Sequence, residues 1–242
     1  ILSLLTGGGG NYNYWHWLFD VLPRLKIVEN VLNLESIQYF LFPNIKKKFQ
    51  YESLNLLNIP KNKRLSSIKH RHLSGDQIIV TEHPYVIKND ASNEIQNLPL
   101  WIINWLKSEL TKNLDLKNNN LPKKIYIDRS DASPNIKNLR KILNEEEIIK
   151  QCRSRDFELV QLSELSFINQ IKLFYNARKI IGLHGAGFAN VIFSKPELEM
   201  LELKPSGAGK MCENLAKKCN VNYDCISVTP EKYNNNNQMG HI

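Results

Sequence analysis

Short apolar runs alternate with helical segments through the second half of the chain, and this pattern constrains the fold more than any other feature. The runs with the length and apolar content of buried strands lie at 124–127, 157–162, 179–183, 198–203 and 222–228. Helical segments lie between them at 144–152, 166–177 and 211–219. Strands that alternate with helices over short connections predict a doubly wound parallel sheet, which is an α/β fold.

The first half has the same kinds of element with longer connections. Strands are predicted at 1–5, 37–42 and 77–80, and helices at 14–31, 45–57 and 100–114. Pro23 is expected to kink or restart the first helix, because proline has no amide hydrogen to donate. The Asn- and Lys-rich tract at 117–120, closed by Pro122, predicts a linker. We therefore expect domains at 1–116 and 117–229, followed by a mobile Asn-rich tail at 230–242.

Basic residues outnumber acidic ones by 32 to 24, which gives a formal net charge of +8. Most of the excess lies between residues 46 and 71, where Glu52 is opposed by Lys46, Lys47, Lys48, Lys61, Lys63, Arg64, Lys69 and Arg71. A patch of this kind attracts a nucleic acid, an anionic membrane face or a phosphorylated acceptor. We favour a solvated lysine-rich surface. We expect no nucleic-acid partner, and peripheral contact with an anionic membrane stays open.

Several familiar sites are absent from the sequence. No apolar run is long enough to cross a bilayer, and the four cysteines lack the spacing of a metal site. The glycines at 7–10 do not form a P-loop, and Tyr12 stands where a dinucleotide fingerprint needs its third glycine. No Asp-x-Asp pair exists to hold a metal on a nucleotide sugar. Because the chain begins with Ile1 and not with methionine, we expect a fragment of a longer protein.

The first candidate cluster consists of Asn13, His16 and Asp20, which follow the glycine-rich loop. His16 and Asp20 are four residues apart, so on a helix they share a face and their side chains can touch. A carboxylate that orients an imidazole and holds its proton makes a competent general base. The structural alternative is an ordinary helix start, with Asn13 near the N-cap and an aromatic-rich buried face.

The second candidate cluster follows the predicted strand at 124–127. Arg129 comes directly after that strand, and Arg140 and Asn144 lie further along the same connection. An arginine beyond the carboxyl end of a parallel strand points into the ligand crevice, and its planar fork suits a diphosphate. The structural alternative is a surface loop of mixed charge.

The third candidate cluster is the His184-Gly185-Ala186-Gly187 turn, with Asn190 one helical turn beyond it. Glycines let the backbone approach a ligand closely, and a helix start offers amide groups to an anion. We expect a phosphate site here; the alternative is a tight turn with a core histidine. Glu202, at the end of the next strand, is either an acceptor for a ribose hydroxyl or an ordinary acidic residue.

In this order and spacing, the clusters resemble the catalytic region of glycosyltransferase family 61. The matching motifs are Asn13-Tyr14-Trp15-His16-Trp17-Leu18-Phe19-Asp20, Tyr126-Ile127-Asp128-Arg129 with Arg140-Lys141-Ile142-Leu143-Asn144-Glu145, and Gly182-Leu183-His184-Gly185-Ala186-Gly187-Phe188-Ala189-Asn190. That family includes protein O-linked N-acetylglucosaminyltransferases, plant xylan-decorating enzymes and bacterial capsule or lipopolysaccharide enzymes. One departure is Asp128, which stands where the family usually has a serine.

The resemblance implies a GT-B-like fold with two Rossmann-like parallel-sheet domains, of which the N-terminal one is expected to be truncated. It implies transfer with inversion, no cofactor and no obligatory metal. By position, His16 and Asp20 lie on the acceptor side. The residues that would surround the nucleotide diphosphate are Arg129, Arg140, His184, Gly185, Ala186, Gly187 and Asn190. We add Asn13, Asn144 and Glu202 to the donor-binding residues.

The function expected from the sequence is that of an inverting glycosyltransferase in cell-surface polysaccharide synthesis. It would move a sugar from a nucleotide sugar to a hydroxyl of a glycan, glycolipid or glycoprotein. Asp20, or His16 supported by Asp20, removes the acceptor proton, and the sequence leaves these two roles open. The alternatives are an inactive nucleotide-binding scaffold and a basic module for RNA or a membrane surface. A bacterial enzyme is expected in the cytoplasm or at the inner membrane face, a eukaryotic one in the secretory lumen.

Overall fold

A computed structural model describes residues 1–130, 140–231 and 241–242. The chain forms two compact units, Ile1–Leu114 and Asp115–Ile242, and each contains one parallel sheet with helices. The α/β class is therefore confirmed. Most of the predicted mobile tail, including residues 232–240, lies outside the described residues. At the chain end, Ile242 exchanges backbone hydrogen bonds with Lys141 and Leu143.

The first unit contains a four-stranded sheet in which all strands are parallel, in the order β3-β2-β1-β4. Its strands are β1 (Leu2–Ser3), β2 (Phe40–Phe42), β3 (Arg64–Ser66) and β4 (Ile79–Val80). The sequence reading missed β3, because its polar residues lie within the basic segment. Leu2 of β1 and Leu4, which follows β1, are fully buried. Phe42 of β2 is fully buried as well.

Five α-helical segments accompany this sheet. They are α1 (Tyr14–His16), α2 (Pro23–Glu29), α3 (Lys48–Leu56), α4 (Ala91–Glu94) and α5 (Leu100–Thr111). In α5 the buried side chains are Ile102, Ile103, Leu106 and Leu110, so the helix packs through an i, i+4 stripe. No helix in the described ranges combines the length and apolar character needed to cross a membrane.

A single π-helical turn, Trp17–Val21, joins α1 to α2. The amide of Leu22 donates to the carbonyl of Trp17 at 3.1 Å, five residues back, and Pro23 then occupies the first position of α2. Proline fits there because the first helical residues need no amide donor. The predicted restart of the helix at Pro23 is confirmed. The wider turn that precedes it contains Asp20, and such turns are frequent at functional sites.

The second unit contains a five-stranded sheet, also entirely parallel, in the order β6-β5-β7-β8-β9. Its strands are β5 (Lys124–Asp128), β6 (Glu158–Gln161), β7 (Lys179–Leu183), β8 (Glu199–Pro205) and β9 (Asn222–Val228). All five agree with the predicted strands to within a few residues. Because the strands are parallel, their carboxyl ends lie at one edge, where α/β folds bind ligands.

Helices cover both faces of this sheet, as in a doubly wound fold. They are α6 (Glu145–Arg153), α7 (Phe167–Asn176) and α8 (Met211–Lys218), with a 3₁₀ segment at Ala186–Phe193. On one face, Tyr126, Leu183 and Leu203 pack with Cys152 of α6. On the other face, Gly182 leaves room for Phe188, whose ring would lie 3.3 Å from a β-carbon at that position.

Candidate active site

In the first unit, His16 and Asp20 form a hydrogen-bonded pair. The Nδ1 atom of His16 lies 2.7 Å from Oδ2 of Asp20, so the predicted contact across one helical turn is present. The Asp20 side chain is 9% exposed and that of His16 is 31% exposed. With Nδ1 bound to a carboxylate, the natural tautomer keeps its proton on Nδ1 and leaves Nε2 as a proton acceptor.

Asp20 is held at its other oxygen by Tyr85, a residue that sequence reasoning did not single out. The Tyr85 hydroxyl donates to Oδ1 of Asp20 at 2.6 Å, and the ring is almost fully buried. Burial, with the charge and hydrogen bond of Asp20, raises the pKa of Tyr85 far above its ordinary value. The hydroxyl therefore stays protonated and serves as a permanent donor. No sequence signal pointed to Tyr85, because it lies 65 residues from Asp20.

The backbone beside Asp20 is fixed by Arg24. Its Nε donates to the Asp20 carbonyl at 3.0 Å, and its Nη1 donates to the carbonyl and hydroxyl of Thr81. The guanidinium thus ties the helix to the segment after β4. Asp20 is consequently held through both carboxylate oxygens and its carbonyl. A carboxylate held in this way suits the role of orienting His16 better than the role of taking a proton from a ligand.

The hydrogen bond that His16 donates to Asp20 raises the pKa of His16 above its ordinary value, against an opposing contribution from burial. A raised pKa makes this imidazole a stronger proton acceptor. Its partial exposure leaves Nε2 able to meet a ligand, whereas Asp20 has no free carboxylate oxygen. This geometry favours His16 as the proton acceptor and Asp20 as the carboxylate that orients it.

The pKa of a second imidazole, that of His83, is shifted in the opposite direction to that of His16. Its Nδ1 accepts from the amides of Val86 at 3.2 Å and Tyr85 at 3.4 Å, and its ring meets Tyr85 edge-on at 4.5 Å. Burial lowers the pKa of His83, and the charges of Arg24 and His16 act in the same direction against that of Asp20. His83 is thus a neutral imidazole that carries its proton on Nε2.

Asn13 is the N-cap of α1, as in the structural alternative. Its Oδ1 accepts from the amides of Trp15 at 2.9 Å and His16 at 3.4 Å. That oxygen therefore serves the helix start, and the donor-binding role of Asn13 stays a prediction.

In the second unit, Arg129 and Arg140 converge on one backbone oxygen. The Nη1 atoms of both guanidinium groups donate to the His184 carbonyl, each at 2.8 Å. Arg129 follows β5 and His184 follows β7, and these strands are neighbours. Burial lowers the pKa of Arg140, and the nearby charge of Arg129 lowers it further. Two like charges are thus held together at the carboxyl edge of the sheet.

Gly185 makes room for this arrangement. A β-carbon at position 185 would lie 2.8 Å from Nη1 and 3.1 Å from Cζ of Arg129. The φ angle of Gly185 is 170°, an extended value open to any residue, so the requirement for glycine is steric. Gly187 is similarly close to Leu162, whose Cδ1 would lie 2.9 Å from an added β-carbon.

The segment that begins at Ala186 is a 3₁₀ helix up to Phe193. Asn190 within it is fully buried and donates to the side chain of Gln170 at 3.1 Å and to the Gly187 carbonyl at 3.2 Å. Asn190 therefore braces the turn from inside. Its predicted contact with the diphosphate stays a prediction.

Behind the turn, the His184 side chain belongs to a buried network centred on Glu202. His184 Nδ1 shares a short hydrogen bond with Oε1 of Glu202, and the Tyr223 hydroxyl donates to Oε2 at 2.6 Å. Burial opposes ionisation of Glu202, but the hydrogen bonds of His184 and Tyr223 hold its pKa below the ordinary value. Glu202 is fully buried with both oxygens engaged. Both carboxylate oxygens already accept hydrogen bonds, and the predicted role of Glu202 as acceptor for a ribose hydroxyl stays a prediction.

The same network contains a set of metal-ligand atoms. One ligand atom each from His184, Glu202 and Cys212 lies within 4.8 Å of the other two, and all three residues are buried. However, the imidazole and the carboxylate already share a hydrogen bond, and the charge of Arg140 acts on both Glu202 and Cys212. A cation here would have to break that bond beside a guanidinium. We therefore interpret the set as a hydrogen-bonding network that orients His184.

Asp128 and Asn144 belong to the second motif of the family resemblance. Asp128 accepts from the amide of Ser130 at 2.8 Å and from Gln161 at 3.0 Å, so it fixes the backbone on either side of Arg129. Asn144 is exposed at the start of α6 and lines a cavity of about 760 Å³ with apolar residues such as Ile148 and Leu201. The structure does not bring Asn144 to the two arginines.

Comparison with known proteins assigns the chain to a family. The profile described as Glycosyltransferase 61 matches residues 14–201. The chain is also 30% identical over 89 residues to the EGF domain-specific O-linked N-acetylglucosamine transferase of Bos taurus. That match covers 35% of this chain and 17% of the relative, so this chain spans a small part of that protein's length. On the extent of the profile match, the chain belongs to glycosyltransferase family 61.

Proposed function

We propose that this protein is an inverting glycosyltransferase that moves a sugar from a nucleotide sugar to a hydroxyl group of a glycan, glycolipid or glycoprotein. The observation that carries the proposal is the convergence of Arg129 and Arg140 on the His184 carbonyl, each at 2.8 Å. Membership of family 61 supports the reaction class. In this proposal Arg129 and Arg140 bind the leaving diphosphate, and the His16–Asp20 pair removes the proton of the acceptor hydroxyl.

The arginine pair is the proposed site for the donor diphosphate. Two guanidinium groups held at one carbonyl repel each other, and an anion bound between them relieves that repulsion. A guanidinium group presents a planar fork of N–H donors, a geometry that matches phosphate oxygens. As the bond from the anomeric carbon to the diphosphate breaks, its electron pair leaves with the diphosphate. The guanidinium groups would stabilise that growing charge, which is commonly the largest contribution to catalysis.

His16 is the proposed general base and Asp20 its orienting carboxylate. Nε2 of His16 takes the proton of the acceptor hydroxyl while that oxygen attacks the anomeric carbon from the side opposite the diphosphate. A single displacement of this kind inverts the anomeric centre. Asp20 keeps the imidazole in the required tautomer through its 2.7 Å contact. General-base help typically accelerates a reaction by roughly 10² to 10⁴.

Our finer proposals follow the family resemblance. The two parallel sheets would belong to a GT-B fold, no metal would be obligatory, and the pathway would be cell-surface polysaccharide synthesis. The name of the bovine relative makes N-acetylglucosamine a donor sugar worth testing. Of the eight basic residues between 46 and 71, Lys63 and Arg64 donate to backbone carbonyls within the unit at 2.8 and 2.9 Å, and the basic-surface alternative stays a prediction.

A ligand screen tests the proposal. Thermal shift is recorded with nucleoside diphosphates and their sugars, without and then with a divalent metal, for the wild type, Arg129→Met and Asp20→Asn. We expect a metal-independent shift in the wild type and in Asp20→Asn, and none in Arg129→Met. Transfer should be lost in both variants. Equal shifts in all three proteins would refute the arginine site, and binding without any transfer would favour the inactive scaffold.

A further inference from the structure

His83 lies between two residues that are tied to the helical segment around Asp20. Thr81, two positions before it, accepts from Nη1 of Arg24 through its carbonyl and its hydroxyl oxygen, each at 3.0 Å. Tyr85, two positions after it, donates to Asp20 at 2.6 Å. Two residues of chain span about 7 Å at most. The backbone of His83 is therefore fixed close to the turn that contains Asp20.

The second ring nitrogen of His83 is a hydrogen-bond donor. Nδ1 accepts from the amides of Tyr85 and Val86, so the neutral ring carries its proton on Nε2. A proton on Nδ1 would face those two amide N–H groups, which disfavours the charged ring. Within the described residues Nε2 takes part in no hydrogen bond, and the side chain is half-buried. A ligand can therefore accept from this nitrogen.

The charged groups that act on His83 do not use this nitrogen. They are the side chains of Asp20, Arg24, His16 and Glu94. Both carboxylate oxygens of Asp20 accept other hydrogen bonds, and those of Glu94 accept from three backbone amides at distances between 2.8 and 3.2 Å. The charge of His16 acts on His83, so the two partly exposed imidazoles lie in one neighbourhood.

His16 and His83 offer complementary groups to a ligand. Nε2 of His16 is a proton acceptor, and Nε2 of His83 is a donor. Neighbouring ring hydroxyls of a sugar supply one partner for each, because a hydroxyl can both donate and accept. A donor on the attacking oxygen itself would withdraw electron density that the attack requires. A neutral donor suits an uncharged oxygen, whereas a phosphate is bound more strongly by cations.

We propose that His83 binds the acceptor through a hydrogen bond from Nε2 to an uncharged oxygen next to the reacting hydroxyl, and that the acceptor is a sugar rather than an isolated serine or threonine side chain. This inference rests on the proposed function, since it requires His16 to be the base. The hydrogen bond orients the acceptor so that its reacting hydroxyl meets Nε2 of His16. No proton is transferred to or from His83.

The test pairs two substitutions of His83. In His83→Asn the side-chain oxygen can replace Nδ1 as acceptor for the two amides, but no group reaches the position of Nε2. In His83→Gln the terminal nitrogen reaches that position, but the acceptor for the amides is lost. A ligand-binding role therefore predicts the larger defect for asparagine, and a structural role predicts it for glutamine. His72→Asn, at an exposed histidine of the same unit, is the matched control.

The assay uses the nucleotide sugar that gives the largest thermal shift. Transfer is followed to the methyl glycosides of glucose, galactose, mannose and xylose, to N-acetylserine methylamide and to water. We expect His83→Asn to raise KM for the best glycoside by about 3- to 10-fold, as for the loss of a neutral hydrogen bond. Transfer should also fall relative to hydrolysis, because water has no second oxygen. His83→Gln should show a smaller rise, and His72→Asn none.

Other results would overturn the inference. A glycoside KM in His83→Asn equal to that of the wild type would mean that His83 does not contact the acceptor. A larger defect in His83→Gln, together with a lower melting temperature, would make His83 a structural residue. Hydrolysis by the wild type without transfer to any glycoside would contradict the sugar acceptor, and transfer to the serine probe would replace it.

Hydrolysis of the nucleotide sugar distinguishes failure of this inference from failure of the proposed function. If the wild type cleaves the nucleotide sugar and His16→Gln does so much more slowly, the assigned base stands whatever the result for His83. If the wild type neither cleaves the nucleotide sugar nor transfers its sugar, the proposed function is refuted, and the role of His83 with it.

Discussion

Arg129 lies so close to the backbone of Gly185 that no side chain fits between them. An added β-carbon at Gly185 would be 2.8 Å from Nη1 of the guanidinium group. Because Gly185 has an extended φ of 170°, the backbone itself would accept any residue. The glycine is therefore required by the position of Arg129, and the two residues form one structural unit at the sheet edge.

Gly185→Ala should displace Arg129 and weaken nucleoside diphosphate binding. Loss of a charge-assisted contact is worth about 1.5–3 kcal/mol, which corresponds to roughly a 10- to 100-fold rise in Kd. Titration calorimetry measures this change. Gly7→Ala is the matched control, since no atom lies within 4 Å of a β-carbon built at Gly7. Unchanged affinity in Gly185→Ala would mean that Arg129 does not depend on this contact.

The pH dependence of transfer should report the protonation of His16. A base must be deprotonated, and Asp20 raises the pKa of His16, so the rate should fall as pH is lowered through that raised value. Asp20→Asn removes the main cause of the shift. The acid limb should then move to lower pH, and the maximal rate should drop by about 10²- to 10⁴-fold. A limb that stays in place would exclude His16 as the titrating base.

The same pKa shift affects stability. Because the folded-state pKa of His16 is raised, its protonated form stabilises the fold at pH values below the unfolded pKa of about 6.5. This contribution is lost as pH rises through the folded value. Melting temperatures of the wild type and Asp20→Asn should therefore differ more below the unfolded pKa of His16 than above its folded pKa.

Tyr85→Phe should shift the acid limb in the opposite direction. Without the 2.6 Å bond from Tyr85, Asp20 interacts more strongly with His16, so the pKa of His16 should rise further. The unsatisfied buried oxygen should also cost about 1.5–3 kcal/mol of folding free energy. Rate profiles and thermal melts measure the two effects. The control is Tyr39→Phe, an exposed tyrosine. A profile equal to the wild type would show that Tyr85 does not position Asp20.

Removal of metal should leave donor binding intact. The ligand atoms of His184, Glu202 and Cys212 lie close enough together to hold a cation. We interpret these residues as a hydrogen-bonding network. After dialysis against a chelator, we expect the melting temperature and the affinity for nucleoside diphosphate to be unchanged. Elemental analysis of the purified protein provides the complementary measurement. One bound zinc per chain, whose removal lowers the melting temperature, would refute this interpretation.

The fold of the second unit was predictable because its strands are continuous apolar runs. Such runs carry their own signal, and helices led by acidic residues, such as Glu145 in α6, mark the boundaries between them. In the first unit β3 was missed, since Arg64–Ser66 is short and polar. Its pairing with β2 comes from the tertiary fold, which overrides local propensity.

Sequence reasoning found the clusters but not the partners of each side chain. His16 and Asp20 are one helical turn apart, a relationship that spacing alone reveals. Tyr85 and Tyr223 meet their carboxylates over 65 and 21 residues, and no local pattern records such contacts. Glu202 lies on the predicted strand, but its contacts with His184 and Tyr223 could not be read from the sequence. Strand alternation predicts which face a residue joins, whereas its hydrogen-bond partners depend on the packed core.

The most direct test compares binding with turnover in one set of proteins. Affinity for the nucleoside diphosphate and the rate of sugar transfer are measured for the wild type, His16→Gln and the double variant Arg129→Met with Arg140→Met. Our account predicts that His16→Gln retains nucleotide affinity but loses transfer by about 10²-fold or more. The double variant should lose both. Full transfer by His16→Gln, or wild-type nucleotide affinity in the double variant, would contradict the account.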